Sequence, residues 1–500
     1  MANDGYVTLL HEVATRTLPL SRLEPVIGQE RYDRLISAGD RLKNRLGQRT
    51  VWNINSTAVG GGVAEMLQVI VGYVAGFGIP VRWLTIGGDP VFFGITKRLH
   101  NQIHGAAEGT ALVSSADARH YEQVLAENAE ELLTWVRPGD VAILHDPQTA
   151  GLTEALTRAG LKVIWRCHIG IDQQNDVSRA AWEFLRPYLS AAHAYVFTRR
   201  QFAPIWVPRA RLWVIPPSID PFSPKNAELD SEDVQTILTT VGIYADGGSA
   251  DVGSADVGSA DGGSADGGST RHGKFLRSDG TCGEVRRAGL VTGDGRPGQD
   301  DPVVVQVSRW DRLKDMAGVM RGFADYVLPD KDAYLMLVGP SVSGVTDDPE
   351  GAVVFAECLA EWHLLAPHAR DRVLLVTLPL NDVEENAAMV NAIQRRATII
   401  VQKSLAEGFG LTVAEGMWKG RPVIGSAIGG IVDQIADGTG ILLPDPKDLA
   451  AFGSSVRWLL EHREEAERMG AAGKAYTREH FIGDMHLIRF ADVIEAVLAD

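Results

Sequence analysis

The chain reads as an α/β protein built from two doubly wound domains in succession, facing a central cleft. Three observations predict this. Short apolar, β-branched runs alternate with longer segments whose apolar residues recur at helical spacing, the pattern of parallel βαβ units. The rhythm fades near residue 220 and restarts at Val303, so it occurs twice. With 500 residues, 45% hydrophobic and 22% charged, the chain has the length and apolar content for two such cores.

The first block opens with a strand over Val51 to Ile54, a tight loop at Gly60-Gly61-Gly62, and a helix over Val63 to Ala75. Further strands are expected over Val81 to Ile86, Val141 to Leu144, Leu161 to Trp165, Ala194 to Phe197 and Leu212 to Ile215. The second block places strands over Val303 to Val307, Ala333 to Val338, Val373 to Val376, Thr398 to Val401, Pro422 to Ile424 and Gly440 to Leu442. Ligands of such sheets sit beyond the carboxyl ends of the strands, which puts the site in the cleft between the domains. The expected division is an N-terminal domain over 1–220, a linker over 221–301, a C-terminal domain over 302–480, and a terminal helix over 481–500.

The linker contains five tandem pentads, Ala245 to Ser269, reading ADGGS, ADVGS, ADVGS, ADGGS and ADGGS. Such a composition cannot bury enough apolar surface to offset the cost of ordering the chain, so it reads as solvated and disordered. The Gly- and Arg-rich stretch to Asp300 is expected to be loose as well. A calcium-binding β-roll needs a nonapeptide period, which is absent.

A net charge of −16 argues against nucleic acid or an anionic membrane as the main partner, so an anionic substrate must be held by local cations. Cys167, Cys282 and Cys358 are widely spaced and form no CxxC pair, which fits a reducing compartment. The N-terminus shows neither a basic nor an apolar leader region, and Met66 to Ile79 is too short to span a bilayer. A cytoplasmic location is the expectation.

The most informative run is Glu407-Gly408-Phe409-Gly410-Leu411-Thr412-Val413-Ala414-Glu415: two carboxylates flank a glycine-containing loop that opens into a helix. The free amides and positive dipole end of a helix start suit phosphate. A carboxylate before that start can take sugar hydroxyls, and one a turn or two inside can meet a ribose. Upstream, Arg309 and Lys314 follow the strand Val303 to Val307 and supply the cations that a leaving diphosphate needs. Together these pieces read as a nucleotide-sugar site.

Several other residues carry two readings. His168, at a strand end, is either structural or part of the site. Asp146 either caps the following helix or belongs to the site. His100 and His104 lie four apart on a helix, but no third ligand or HExxH pattern accompanies them, so a surface or packing role is expected rather than metal binding. Trp310 reads as a packing residue rather than a base-stacking platform.

The Arg309-x4-Lys314 and Glu407-x7-Glu415 spacings resemble the retaining family-4 (group 1) glycosyltransferases of the GT-B fold, which have two Rossmann-like domains. The stretches NINSTAVGGGVAEML (53–67), GGDPVFFGITKRLHNQIHG (87–105), HDPQTAGL (145–152), WRCHIG (165–170) and PPSIDPFSPKN (216–226) narrow the resemblance to the trehalose glycosyltransferring synthases. The likeness covers about residues 30–225 and 302–490.

It implies glucose transfer from a nucleoside diphosphate glucose (ADP- or UDP-glucose) to free glucose, giving α,α-trehalose with retention. Arg309 and Lys314 would clamp the diphosphate, Glu407 would hold the sugar, and Glu415 the ribose. The backbone from Gly408 through Phe409, Gly410 and Leu411 to Thr412 would meet phosphate and sugar, with Gly61 and Gly62 approaching from the other domain. His168 would line the reaction centre, and Asp146 and His168 the acceptor side. In this fold the last helix, here Asp484 to Leu498, crosses back to the first domain. No tightly bound cofactor is implied; magnesium or a similar cation is expected at most to stimulate, without a ligand motif. The partners are the nucleotide-sugar and a small sugar acceptor, with no nucleic acid or membrane, and a homo-oligomer left open. The rival readings are a trehalose phosphorylase, transfer to another small acceptor, and a non-catalytic carbohydrate-binding protein on a transferase fold.

The pentads lie outside every motif. Deleting Ala245 to Ser269 should leave donor affinity and turnover nearly unchanged, because loop closure changes by only ~0.6 kcal/mol per doubling of length. Steady-state kinetics of the deletion variant check this; a folded but inactive variant would place the repeats in the site.

Overall fold

The computed structural model describes residues 9–58, 62–105, 112–244, 272–342 and 349–499. Gly60, Gly61 and the Ala245–Ser269 repeats lie outside the described residues.

The first sheet holds β1 (His11–Glu12), β2 (Val51–Asn55), β3 (Val81–Thr85), β4 (Val141–His145), β5 (Lys162–Cys167), β6 (Ala194–Phe197) and β7 (Leu212–Val214). Its order is β1-β3-β2-β4-β5-β6-β7, parallel throughout except for β1. β2, β4 and β6 are buried at every position, as strands covered by helices on both faces must be. A hairpin of β8 (Gly273–Leu276) and β9 (Cys282–Val285) follows. The second sheet comprises β10 (Leu290–Thr292), β11 (Val303–Val307), β12 (Tyr334–Pro340), β13 (Val373–Leu378), β14 (Ile399–Gln402), β15 (Val423–Ser426) and β16 (Ile441–Leu443). Its order is β10-β13-β12-β11-β14-β15-β16, again parallel except at the β10 edge. This is the GT-B architecture.

Outside the repeats, the reading of 221–301 as a linker, loose in the stretch to Asp300, needs correction. A helix over Ser231–Val241 starts on Asp230, whose carboxylate accepts from the Asp233 amide, and stops at left-handed Gly242. Ile237, Leu238, Val241, Phe275 and Val285 are all core residues of the second domain. β10 extends that domain's sheet. The second domain therefore recruits chain from well before residue 302. The sequence hides this because three- and four-residue strands broken by Gly and Arg carry little periodicity.

Two crossings join the domains. The descending segment Ile215–Asn226 and the returning segment Phe481–Gly483 meet at a parallel bridge between Ile219 and Ile482. The helix Gly483–Ala499 then packs on the first domain, with Phe490, Ala491, Ile494 and Val497 against Ala38, Leu42 and Leu46 of the helix Gln29–Leu46. A second cluster, including Leu23, Met66, Ile70, Tyr73, Phe409, Trp418 and Phe481, spans both domains. Apolar burial thus sets how the halves face each other.

One ion pair pins this arrangement. Arg31 Nε and Nη2 donate to the two carboxylate oxygens of fully buried Asp484 at 2.9 and 2.7 Å. Removing one partner of a buried pair typically costs ~3–5 kcal/mol because the other charge stays buried and uncompensated. Arg31→Ala should therefore lower the urea midpoint substantially, whereas Arg82→Ala, whose pair with Glu12 is exposed, should move it little. Equal midpoints for the two variants would refute the assignment.

Candidate active site

The C-terminal ends of β11 and β14 lie in one sheet, so the loops after them are neighbours. Gln306, on β11, donates through Nε2 to the Lys314 carbonyl at 2.7 Å and accepts from the Lys403 amide at 3.1 Å. The Leu405 amide donates to the Leu313 carbonyl at 2.7 Å. Asp315 adopts a left-handed backbone (φ 47°), caps the helix Met316–Tyr326 through the Gly318 amide, and pairs with the fully buried Lys403. These ties present Lys314 to the cleft. Its Nζ lies 2.6 Å from Glu407 Oε2, which also accepts from the Ser404 hydroxyl at 3.2 Å. Arg309 stands at the rim, half-exposed, with Nη2 3.3 Å from Asp311 Oδ2. Trp310 is fully buried against Phe355 and donates to the Pro340 carbonyl, as a packing residue does.

The helix Leu411–Trp418 starts from left-handed Gly410 without a side-chain cap, which leaves its first amides for a ligand. Thr412 Oγ1 is engaged inward, donating to Gln402 Oε1 at 2.7 Å, so only its backbone faces outward chemistry. Phe409 likewise serves the core, edge-on to Phe481. Gln434 Nε2 donates to the carbonyls of Phe409 and Gly410 and fixes the loop.

Glu415 is 3% exposed, with Oε1 3.6 Å from Lys225 Nζ and Oε2 without a hydrogen-bond partner among the described residues. Lys225 also reaches Glu65 at 2.8 Å. Burial opposes its charge, but the Glu415 and Glu65 carboxylates outweigh that and hold the ammonium above its ordinary range. Beneath Glu415, burial drives Lys419 down to about 7; its Nζ donates to Asn226 Oδ1 at 3.1 Å. A pocket of about 690 Å³ opens beside Glu415 and Leu411, lined also by Glu65, Lys225, Asp279 and Asn386.

On the facing domain, the ends of β4 and β5 bring together buried imidazoles. His145 Nδ1 and His168 Nε2 are 3.1 Å apart, His145 Nε2 is 3.3 Å from Asn53 Oδ1, and Arg166 Nε donates to His168 Nε2 at 3.0 Å. Arg166 Nη1 lies 3.2 Å from His486 Nε2 on the returning helix. Burial, reinforced by Arg166, lowers His145 to about 3 and His168 well below the usual imidazole range, so both rings are neutral at pH 7. Asp146 caps no helix: it is the first residue of the turn Asp146–Thr149, at φ 61°, and its Oδ1 accepts from the His168 amide at 2.8 Å. Burial raises that carboxyl to about 6, against the opposing pull of the His168 amide and Arg166.

The two halves meet closely. A side chain at Gly408 would come within 2.9 Å of the His168 carbonyl, and one at Gly62 within 3.0 Å of Leu411. Arg199 donates to both oxygens of Asp433 at 2.6 and 3.1 Å and pairs with Asp172, which accepts from the Gly429 amide at 2.8 Å. The structure thus gathers Arg309, Lys314, Glu407, Gly408 to Thr412, Glu415, Gly62 and His168 at one cleft, with Asp146 behind His168. Lys225, Gln306 and Lys403 are tertiary additions; a polar residue ending an apolar strand, as Lys403 does after Ile399–Gln402, was the available signal. His104 also meets the cleft beside Gly408, and Lys314 is within electrostatic reach of both His100 and His104. Their four-residue spacing was visible, but what they face was not.

Residues 53–204 match the family described as trehalose synthase, N-terminal domain, and residues 294–476 match glycosyl transferases group 1. A trehalose synthase of Pyrococcus horikoshii is 30% identical over 482 residues, covering 96% of each chain. A trehalose phosphorylase of Grifola frondosa is 24% identical over 91% of this chain but only 57% of its own length. Among solved structures, a UDP-forming α,α-trehalose-phosphate synthase of Burkholderia xenovorans, in complex with glucose-6-phosphate, covers 89% of this chain and 100% of its own at a TM-score of 0.64 and 13% identity, a likeness of fold. The chain belongs to the trehalose synthase family within the group 1 glycosyltransferases.

Proposed function

We propose that the protein transfers glucose from a nucleoside diphosphate glucose to the anomeric hydroxyl of glucose, with retention, to form α,α-trehalose. The observation that carries this is the 690 Å³ pocket beside Glu415, continuous with the helix start at Leu411. Its volume falls within the usual ~300–1,000 Å³ of small-molecule sites. In place of the nucleoside diphosphate a phosphorylase holds only inorganic phosphate, so it has no ribose for Glu415 to hold. The full-length match to a trehalose synthase supports the same choice.

In this reading, the diphosphate lies against the open amides of Leu411 and Thr412, with Lys314 and Arg309 around it. As the anomeric C–O bond to the diphosphate breaks, negative charge grows on the phosphate oxygen and positive charge on the sugar. Preorganised cations and N–H groups stabilise the first; Glu407, anchored by Lys314 and Ser404, holds the sugar's hydroxyls. The acceptor oxygen attacks from the same face, and its proton passes to the departing phosphate. A divalent cation, if bound by the diphosphate itself, would share the neutralisation without protein ligands.

Arg309→Ala and Lys314→Ala should each lower kcat by roughly two to three orders of magnitude, as expected from ~2.7–4 kcal/mol per preorganised donor. Trehalose formation from ADP- or UDP-glucose reads this out; normal turnover in both would sink the site. Glu415→Ala should weaken free nucleoside diphosphate by one to two orders of magnitude, from ~1.5–3 kcal/mol per charged hydrogen bond, whereas Glu407→Ala should spare it and depress transfer. Calorimetric titration with ADP and UDP separates them. Unaltered nucleotide binding by Glu415→Ala, together with phosphate-dependent trehalose cleavage, would favour the phosphorylase.

A further inference from the structure

His104 ends the helix Pro90–Ile103 on the N-terminal side of the cleft. It is only 8% exposed, and its Nδ1 has no hydrogen-bond partner among the described residues. The ring hydrogen-bonds the Gly170 backbone; with Nδ1 unpartnered, that contact falls to Nε2, which assigns the proton to Nε2 and leaves Nδ1 its lone pair. Cε1, the carbon between the two ring nitrogens, is 3.9 Å from where a side chain on Gly408 of the opposite domain would begin. Lys314, Glu407 and Asp311 are its charged neighbours across the cleft. Burial, then the Lys314 ammonium, lowers its pKa to about 4, so the ring is uncharged at neutral pH.

A buried acceptor left without a donor costs stability unless a ligand or water supplies one. An uncharged acceptor repels phosphate oxygens and suits a hydroxyl. A metal shared with His100 finds no support, since no group of three His, Cys, Asp or Glu is placed to hold one among the described residues. We propose that His104 is a sugar-binding residue of the reacting centre, its Nδ1 accepting a hydrogen bond from a hydroxyl of the glucose unit held against the N-terminal domain. The identity of the sugar rests on the trehalose reading above; the direction of the reaction does not matter, since synthase and phosphorylase both hold the disaccharide.

The test is trehalose affinity, measured by calorimetry without nucleotide. His104→Ala should lose roughly five- to ten-fold, the scale of one neutral hydrogen bond. His104→Asn, whose amide oxygen can take the place of Nδ1, should keep most of the affinity. Binding of ADP or UDP should be unchanged in both. In the parent protein, the ¹⁵N resonance of His104 Nδ1 should move on saturation with trehalose and not with ADP, a readout independent of whether the variants fold. Equal trehalose affinity in parent and His104→Ala, equal loss in both variants, a stationary Nδ1 resonance, or a parent that binds no trehalose would each overturn the proposal. A parent that binds trehalose yet makes none from any nucleotide glucose would end the donor reading alone and leave the His104 test decisive.

Discussion

The meeting of Lys314 and Glu407, 2.6 Å apart but 93 positions apart in the chain, is the contact around which the cleft is organised. Neither loop could hold its charge there alone. Gln306 binds both loops at once, accepting from the Lys403 amide and donating to the Lys314 carbonyl. Lys403 is buried outright and is paired by Asp315, the residue that starts the next helix in a left-handed conformation. Strain of that kind persists only where the surroundings over-determine it. Here the surroundings are a polar network at the carboxyl ends of two adjacent parallel strands.

The same constraint explains the glycines. Gly410 needs its positive φ to start the helix Leu411–Trp418, and a Cβ on Gly429 would lie 1.8 Å from the Glu407 carbonyl. The Glu407 loop is thus held on one side by Gln434 and the Gly429–Gly430 turn, and on the other by the facing domain. Asp172 and Arg199 reach from that domain to the same turn. Domain approach and the position of Glu407 are therefore linked through the Asp172–Gly429 and Arg199–Asp433 contacts at that turn.

Opposite these charges the N-terminal domain offers neutral rings. His104, His145 and His168 are all stripped of water, and nearby cations, Lys314 for the first and Arg166 for the other two, oppose their protonation further. The cleft thus sets cations, carboxylates and helix amides on one wall against uncharged imidazoles on the other. A charged leaving group belongs on the first wall and an uncharged sugar suits the second.

Much of this was legible without coordinates. The strands read at Ala194–Phe197 and Val303–Val307 coincide with β6 and β11, because buried parallel strands are short runs of apolar residues bounded by helical patterns. The Glu407–Glu415 and Arg309–Lys314 spacings were visible because a strand, a loop and a helix start are contiguous in sequence. The hairpin Gly273–Val285 and the edge strand Leu290–Thr292 were not, since their stability comes from packing on Ile237, Val241 and β13 rather than from their own pattern. Nor could sequence reveal that Lys225 lies between Glu65 and Glu415, or that His104 faces Gly408. By itself the sequence determined two α/β domains, the local motifs and their chemistry. Only the tertiary structure decided which side chains from distant segments share the cleft and which polar atoms stay unpaired there, because burial and long-range contact are properties of the packed chain.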